Sequence, residues 1–147
     1  MCVLTVGCSP DAVRVEPPSA DAAALTVCER LDPALPDRVD DAEQRSTRPT
    51  SPLTAAWGEP ALVLRCGVPR PPGLGPMSEV LEVEGVEWFL VESDAGYTFT
   101  TVGRAVNVEV TVPSEVDRSE ATAPLVDLAP AVRRAVPAAS AQAGGAG

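Results

Sequence analysis

Histidine, lysine and isoleucine are absent from this 147-residue chain, and only 3% of it is aromatic. The first two absences each exclude chemistry. Without histidine there is no Ser–His or Cys–His catalytic pair and no imidazole metal ligand. Without lysine there is no Walker-type phosphate lysine, no Schiff base and no Ser–Lys dyad. All 11 cations are therefore arginine, set against 21 Asp and Glu, for a formal net charge of −10. A pI near 4.3 argues against a nucleic-acid partner, because such binding rests on Lys and Arg neutralising phosphates. No stretch approaches the ~18 apolar residues of a membrane-spanning helix.

What is present reads as one domain, since typical domains run to about 100–150 residues. Apolar residues make up 45% and charged residues 22% of the chain, which is ordinary for a globular protein. With so few aromatics, Val, Leu and Ala must fill most of the core, and Trp57 and Trp88 are its largest blocks. The 16 prolines exceed the usual share of about 5% and gather between candidate elements.

Residues 1–18 do not look like part of a fold. The apolar run from Cys2 to Cys8 is followed by a polar, Pro-rich stretch, the order found at the end of a bacterial lipoprotein signal. Gly7-Cys8 fits the small residue that precedes a lipidated cysteine, so Cys8 is the lipidation candidate. Thr5 and Leu4 fit that pattern less well. No basic n-region precedes the run, and it is short for an apolar h-region, so the expectation is a true start codon further upstream. The alternative is a soluble protein with an unstructured N-terminus.

A helix is expected over residues 20–35, capped by Ser19 or Asp21, with Leu25, Cys28, Leu31 and Leu35 forming one apolar stripe. Pro33 and Pro36 should distort or end it. Residues 37–52 are charged and rich in breakers, and read as a loop. Strands are expected over residues 61–66, 79–83, 86–92 and 97–102. Val106, Val108, Val110 and Val112 recur at strict period two and mark the clearest half-buried strand. Glu84-Gly85 joins two of these strands as a hairpin, and residues 67–76 form a long rigid connection. A second helix is expected over residues 124–136, with Leu125, Leu128, Val132 and Val136 on one face and Pro130 kinking it. Residues 138–147 form an Ala/Gly tail expected to be disordered. The pattern is helix, about five mostly antiparallel strands, helix: a small α+β domain over residues 19–137.

Cys28 and Cys66 both point toward the core in this reading. They form either a disulfide pinning the first helix to the first strand or two buried free thiols. A disulfide closing a loop of this length is worth about 4 kcal/mol in the chain-entropy model. It would require an oxidising compartment. Two distant cysteines without histidine are too few ligands for zinc.

The residues Thr54-Ala55-Ala56-Trp57-Gly58-Glu59-Pro60 and Leu64-Arg65-Cys66-Gly67-Val68-Pro69-Arg70-Pro71 resemble the motif of an actinobacterial family, domain of unknown function 3515. Gly85-Val86-Glu87-Trp88-Phe89, Phe99-Thr100-Thr101-Val102-Gly103-Arg104 and Val108-Glu109-Val110-Thr111-Val112-Pro113 are similar to it too. The resemblance covers residues 20–137. It implies a secreted or membrane-anchored lipoprotein with no established activity.

Arg65, Arg70 and Arg104 stand out in an acidic chain. Between Ser78 and Glu120, ten acids face only Arg104 and Arg118, a net of −8. Arg70 and Arg104, near Trp57 or Trp88, could clamp a carboxylate or phosphate bidentately; otherwise they pair with acids and hold loops. A hydrolase would have to use carboxylates, with Glu84 and Glu87 or Glu115 and Asp117 as acid and base. Alternation such as Glu79-Val80-Leu81-Glu82 is more simply the solvated face of a strand. Gly73-Leu74-Gly75 lacks the third Gly and the following helix of a dinucleotide loop. No Asp-rich loop has calcium-ligand spacing. The resulting expectation is an extracytoplasmic interaction module, anchored to the membrane by lipid at Cys8 alone. No cofactor, metal or nucleic acid is implied, and its partner is a component of the cell envelope. An anionic-ligand binder and a carboxylate hydrolase are its rivals.

Overall fold

The computed structural model describes residues 12–139. Its strands are β1 (Val13–Arg14), β2 (Arg38–Val39), β3 (Ala42–Arg45), β4 (Thr47–Arg48), β5 (Thr54–Trp57), β6 (Leu62–Cys66), β7 (Leu81–Val83), β8 (Val86–Ser93), β9 (Gly96–Val102) and β10 (Val108–Pro113). Two helices, α1 (Ala22–Leu31) and α2 (Ala123–Ala135), complete an α+β domain. Eight strands form one sheet in the order β2-β3-β5-β6-β10-β9-β8-β7, every neighbour antiparallel. A separate two-stranded piece pairs β1 with β4 in parallel.

The valine alternation of β10 drives the centre of the sheet: Val108, Val110 and Val112 are fully buried. Register aligns Ala55, Leu64, Val110, Phe99 and Leu90 as one row across five strands. That row lies on the sheet face that both helices cover. Helix α1 is joined to it by a disulfide between Cys28 and Cys66. Helix α2 buries Leu125, Leu128 and Val132 in the same core and touches β2, β7 and β8. Arg133 and Arg134 occupy its last turn, where cations suit the negative end of the helix dipole. Pro130 is accommodated within α2. The carbonyl it leaves unpaired, four residues back on Val126, belongs to an exposed residue that water can solvate.

The cysteine pair is thus a disulfide, and the core it crosses is apolar. Where the β9–β10 ladder ends, Val108 N–H donates instead to the Thr101 hydroxyl at 2.9 Å, so a buried donor stays satisfied. The turn Glu84-Gly85 carries both residues at positive φ, +48° and +82°, the backbone of a type I′ hairpin turn. At Gly96 the backbone itself enforces glycine: φ is +133° and a Cβ would lie 2.0 Å from the Val112 carbonyl oxygen.

Several expectations need correction. Helix α1 ends at Leu31, and a 3-10 turn over Asp32–Ala34 carries Pro33. Its buried face is Val27, Cys28 and Leu31, continued by Leu35, while Leu25 is exposed. Spacings of three and four fit two neighbouring faces of so short a helix, and the core took the one containing Val27. Residues 37–52, read as a loop, contain β2, β3 and β4. The sheet has eight strands rather than about five, because β2, β3 and β5 join it. Residues 12–18 are not detached from the domain: Val13 and Val15 donate to the carbonyls of Ser46 and Arg48, and Val15 and Pro18 are buried. At the other end, Ala139 N–H donates to the Gly103 carbonyl and Ala138 bridges Arg104. Cys2, Cys8 and the tail beyond residue 139 lie outside the described residues.

Candidate functional site

The four residues proposed to clamp a ligand are not brought together around a cleft. Trp57 and Trp88 are fully buried in the core, so neither presents a ring to a ligand. Trp57 Nε1 donates to the Pro36 carbonyl at 3.0 Å, tying β5 to the end of the 3-10 turn. Arg70 donates to the Leu74 carbonyl within its own Pro-rich connection. Arg104 donates to the carbonyls of Val136 at 3.0 Å and Gly85 at 3.2 Å, fastening the end of α2 to the β7–β8 turn. None of five surface clefts among the described residues is lined by Arg70, Arg104, Trp57 or Trp88. These cations hold loops.

The proposed acid–base pairs fare similarly. Glu84, Glu87, Glu115 and Asp117 are all exposed. The Ser119 backbone N–H and then its hydroxyl hold the Asp117 carboxyl below the usual range, the opposite of what a general acid needs. Burial pushes the Asp32 carboxyl upward. It lines a polar cleft of about 370 Å³ with hydroxyls including Ser51 and Thr54. Among the described residues no three His, Cys, Asp or Glu side chains are grouped to hold a metal ion.

Where polar groups do converge is the outer face of the sheet, opposite the helices. Leu64 and Cys66 face the core, so Arg65 between them faces out. Its register partner on β10, Glu109, pairs with it at 3.2 Å. Arg65 also donates from Nε to the Glu16 carbonyl at 3.0 Å. One guanidinium therefore joins β6, β10 and the N-terminal segment, and it holds residues 14–19 across the sheet. Between this strap and the sheet lies a cleft of about 900 Å³ whose polar lining includes Arg14, Glu16, Arg65, Glu109 and Thr111. A neighbouring cleft of about 350 Å³ is lined by Arg14, Val15, Glu16, Pro17, Arg48 and Pro49. Arg14 belongs to both. It is the register partner of Arg48 in the β1–β4 pair, and both are exposed without an ion pair to any described residue.

This arrangement has no activated nucleophile. What it offers is guanidinium donors beside apolar walls, groups suited to an anion. Sequence reading placed Arg65 among the cations of interest but passed over Arg14 and Arg48, which fall in segments read as linker and loop. The alternation Val13-Arg14-Val15 is the one signal that marks the first of these as a strand.

The disulfide in the core belongs to an oxidising, extracytoplasmic compartment. No helix of the described residues is long and apolar enough to cross a membrane. No curated protein and no solved structure matches the chain. A family model does match, from residue 3 to residue 141, described as protein of unknown function (DUF3515). With nearly its whole length covered, and strands β5, β6, β8, β9 and β10 running through the motifs that carried the sequence resemblance, the chain belongs to the DUF3515 family.

Proposed function

We propose that this protein is a lipid-anchored domain of the cell envelope that works as an interaction module, attached through Cys8 and binding another envelope component. The observation that carries the reading is the Cys28–Cys66 disulfide, buried at 0% and 1% exposure between α1 and β6. A covalent link across the core is kept only where thiols are oxidised, and the signal-like order of residues 2–18 agrees with export. Binding is preferred to catalysis because the candidate cations are occupied by carbonyls and a carboxylate. The candidate carboxylates are all exposed, Glu84 and Glu87 on the β7–β8 hairpin and Glu115 and Asp117 just after β10, and none lines the five clefts.

The acidic sheet edge is the proposed partner face. Glu82 and Glu87 are register partners across the β7–β8 hairpin, and Glu84 sits at its tip; all three are exposed. Like charges directly opposed across strands are unfavourable, and a basic partner surface would relieve them. Crosslinking in native envelopes, with identification of the joined proteins, tests this: a partner joined through residues 79–94 is the expected product. Recovery of the chain from the cytosolic fraction with Cys28 and Cys66 freely alkylated would refute the reading.

A further inference from the structure

We propose that Arg14 and Arg48 form a phosphodiester-binding site that seats this domain on the headgroups of an anionic phospholipid surface. The inference deepens the lipid-anchored reading above and rests on it for the source of the phosphate.

The two residues are direct register partners on β1 and β4, so their side chains leave the same side of a two-stranded piece. Like charges in that relation disfavour pairing. The chain has 21 acids with which to compensate them, yet neither guanidinium makes an ion pair with a described residue. The strands are nevertheless held in place, by the Val13 and Val15 amides and by Arg65 on the Glu16 carbonyl. Two unneutralised guanidiniums on register partners can both turn their donors to the oxygens of one phosphate.

The lining of the cleft between them narrows the ligand. Val15, Pro17 and Pro49 give it apolar walls, and Glu16, also in the lining, pairs with neither arginine. Two guanidiniums against one carboxylate leave a single positive charge. That balances a phosphodiester, which carries one negative charge, better than a phosphate monoester or free phosphate carrying about −1.5 to −2. A phosphodiester with apolar substituents is the chemistry of a phospholipid headgroup.

Position agrees with this source. Val13 is the fifth residue after Cys8, a reach of at most about 18 Å even when fully extended. A lipid on Cys8 therefore keeps the Arg14–Arg48 pair close to the bilayer surface. The acidic β7–β8 hairpin lies at one edge of the sheet, beyond β9 from the β6 and β10 strands that the strap crosses.

The test uses the full chain without lipid, labelled for NMR and titrated with dihexanoyl phosphatidylglycerol below its micelle concentration. Inorganic phosphate is the second probe. Saturable shifts confined to residues 13–17 and 47–49 are expected. Arg14→Gln and Arg48→Gln should each weaken binding about fivefold, and the double variant about 25-fold, as for removing one and two charges near a membrane surface. Arg30→Gln, an exposed change of equal charge on α1, should leave the titration unaltered. The proposal is overturned if no saturable shift appears, if the double variant titrates like the native chain, or if inorganic phosphate binds these residues more tightly than the lipid. Mass of the Cys8 peptide from native membranes decides the anchor separately. An unmodified Cys8 with an intact titration removes only the anchor, and a lipidated Cys8 with an inert arginine pair removes only the site.

Discussion

Replacing Cys28 and Cys66 together by alanine should destabilise the domain severely while leaving the chain's charge untouched. The residues are 38 apart in sequence. In the chain-entropy model, freeing a loop of that length releases about 4 kcal/mol of denatured-state entropy. Both side chains are fully buried, so losing two sulfur atoms adds a cavity cost of about 1–2 kcal/mol. A domain of about 130 residues has an unfolding entropy near 0.27 kcal/mol/K, which converts the entropic part alone into a fall of about 15 °C in Tm. The two contributions can be separated by experiment. In a Cys2→Ser, Cys8→Ser background, the native pair refolded under reductant loses only the loop constraint, whereas Cys28→Ala, Cys66→Ala loses the packing as well. Thermal melts followed by circular dichroism, with urea titrations of the same samples, should rank oxidised above reduced above the double alanine variant. A reduced chain melting within about 5 °C of the oxidised one would refute the loop argument, since the entropy at stake corresponds to about three times that shift.

Other perturbations have equally defined outcomes. Gly96→Ala places a Cβ 2.0 Å from the Val112 carbonyl oxygen at a φ of +133°; a loss of about 3 kcal/mol is expected in urea titration. Thr101→Val removes the acceptor for the buried Val108 N–H, and hydrogen exchange at Val108 should accelerate alongside a loss of about 1–3 kcal/mol. Arg65→Gln releases the strap: proteolysis within residues 12–19 should quicken while the disulfide-bonded core keeps its exchange protection. Asp32 gives a pH signature. Burial raises its carboxyl above 3.8 when folded, so its unfavourable effect is absent well below 3.8, grows as pH rises from there, and is complete above the folded value. Asp32→Asn should therefore stabilise the protein at neutral pH but not at pH 3 in matched melts.

The readable parts of this fold were those where one face is buried and the other is wet. Strand β10 alternates Val108, Glu109, Val110 and Thr111 because the core lies on one side only, and α2 declares its buried face through Leu125, Leu128 and Val132. Strand β5 breaks that rule: Thr54, Ala55, Ala56 and Trp57 are all buried, so no alternation marks it. Strands β2 to β4 break it in the other direction. Only Val39 among their residues is buried, and pairing with neighbours rather than burial of an apolar face orders them. The candidate site was hidden for a related reason. Arg14 and Arg48 meet through the register of two short strands, which composition does not encode. Both indoles lie in the core, where with so few aromatics they are the largest blocks.

That scarcity gives the two tryptophans distinct optical surroundings. Trp57 donates its indole N–H to the Pro36 carbonyl. Trp88, equally buried, has no partner for its Nε1 among the described residues. An indole without a hydrogen bond in an apolar setting emits at shorter wavelength than one that donates to a carbonyl. The native emission should therefore be the sum of two bands, one from β5 beside the 3-10 turn and one from β8 under α2. Trp57→Phe and Trp88→Phe would isolate them. With the disulfide anchoring α1 on the β6 side, the two ends of the sheet could then be watched separately as they melt, by colour alone.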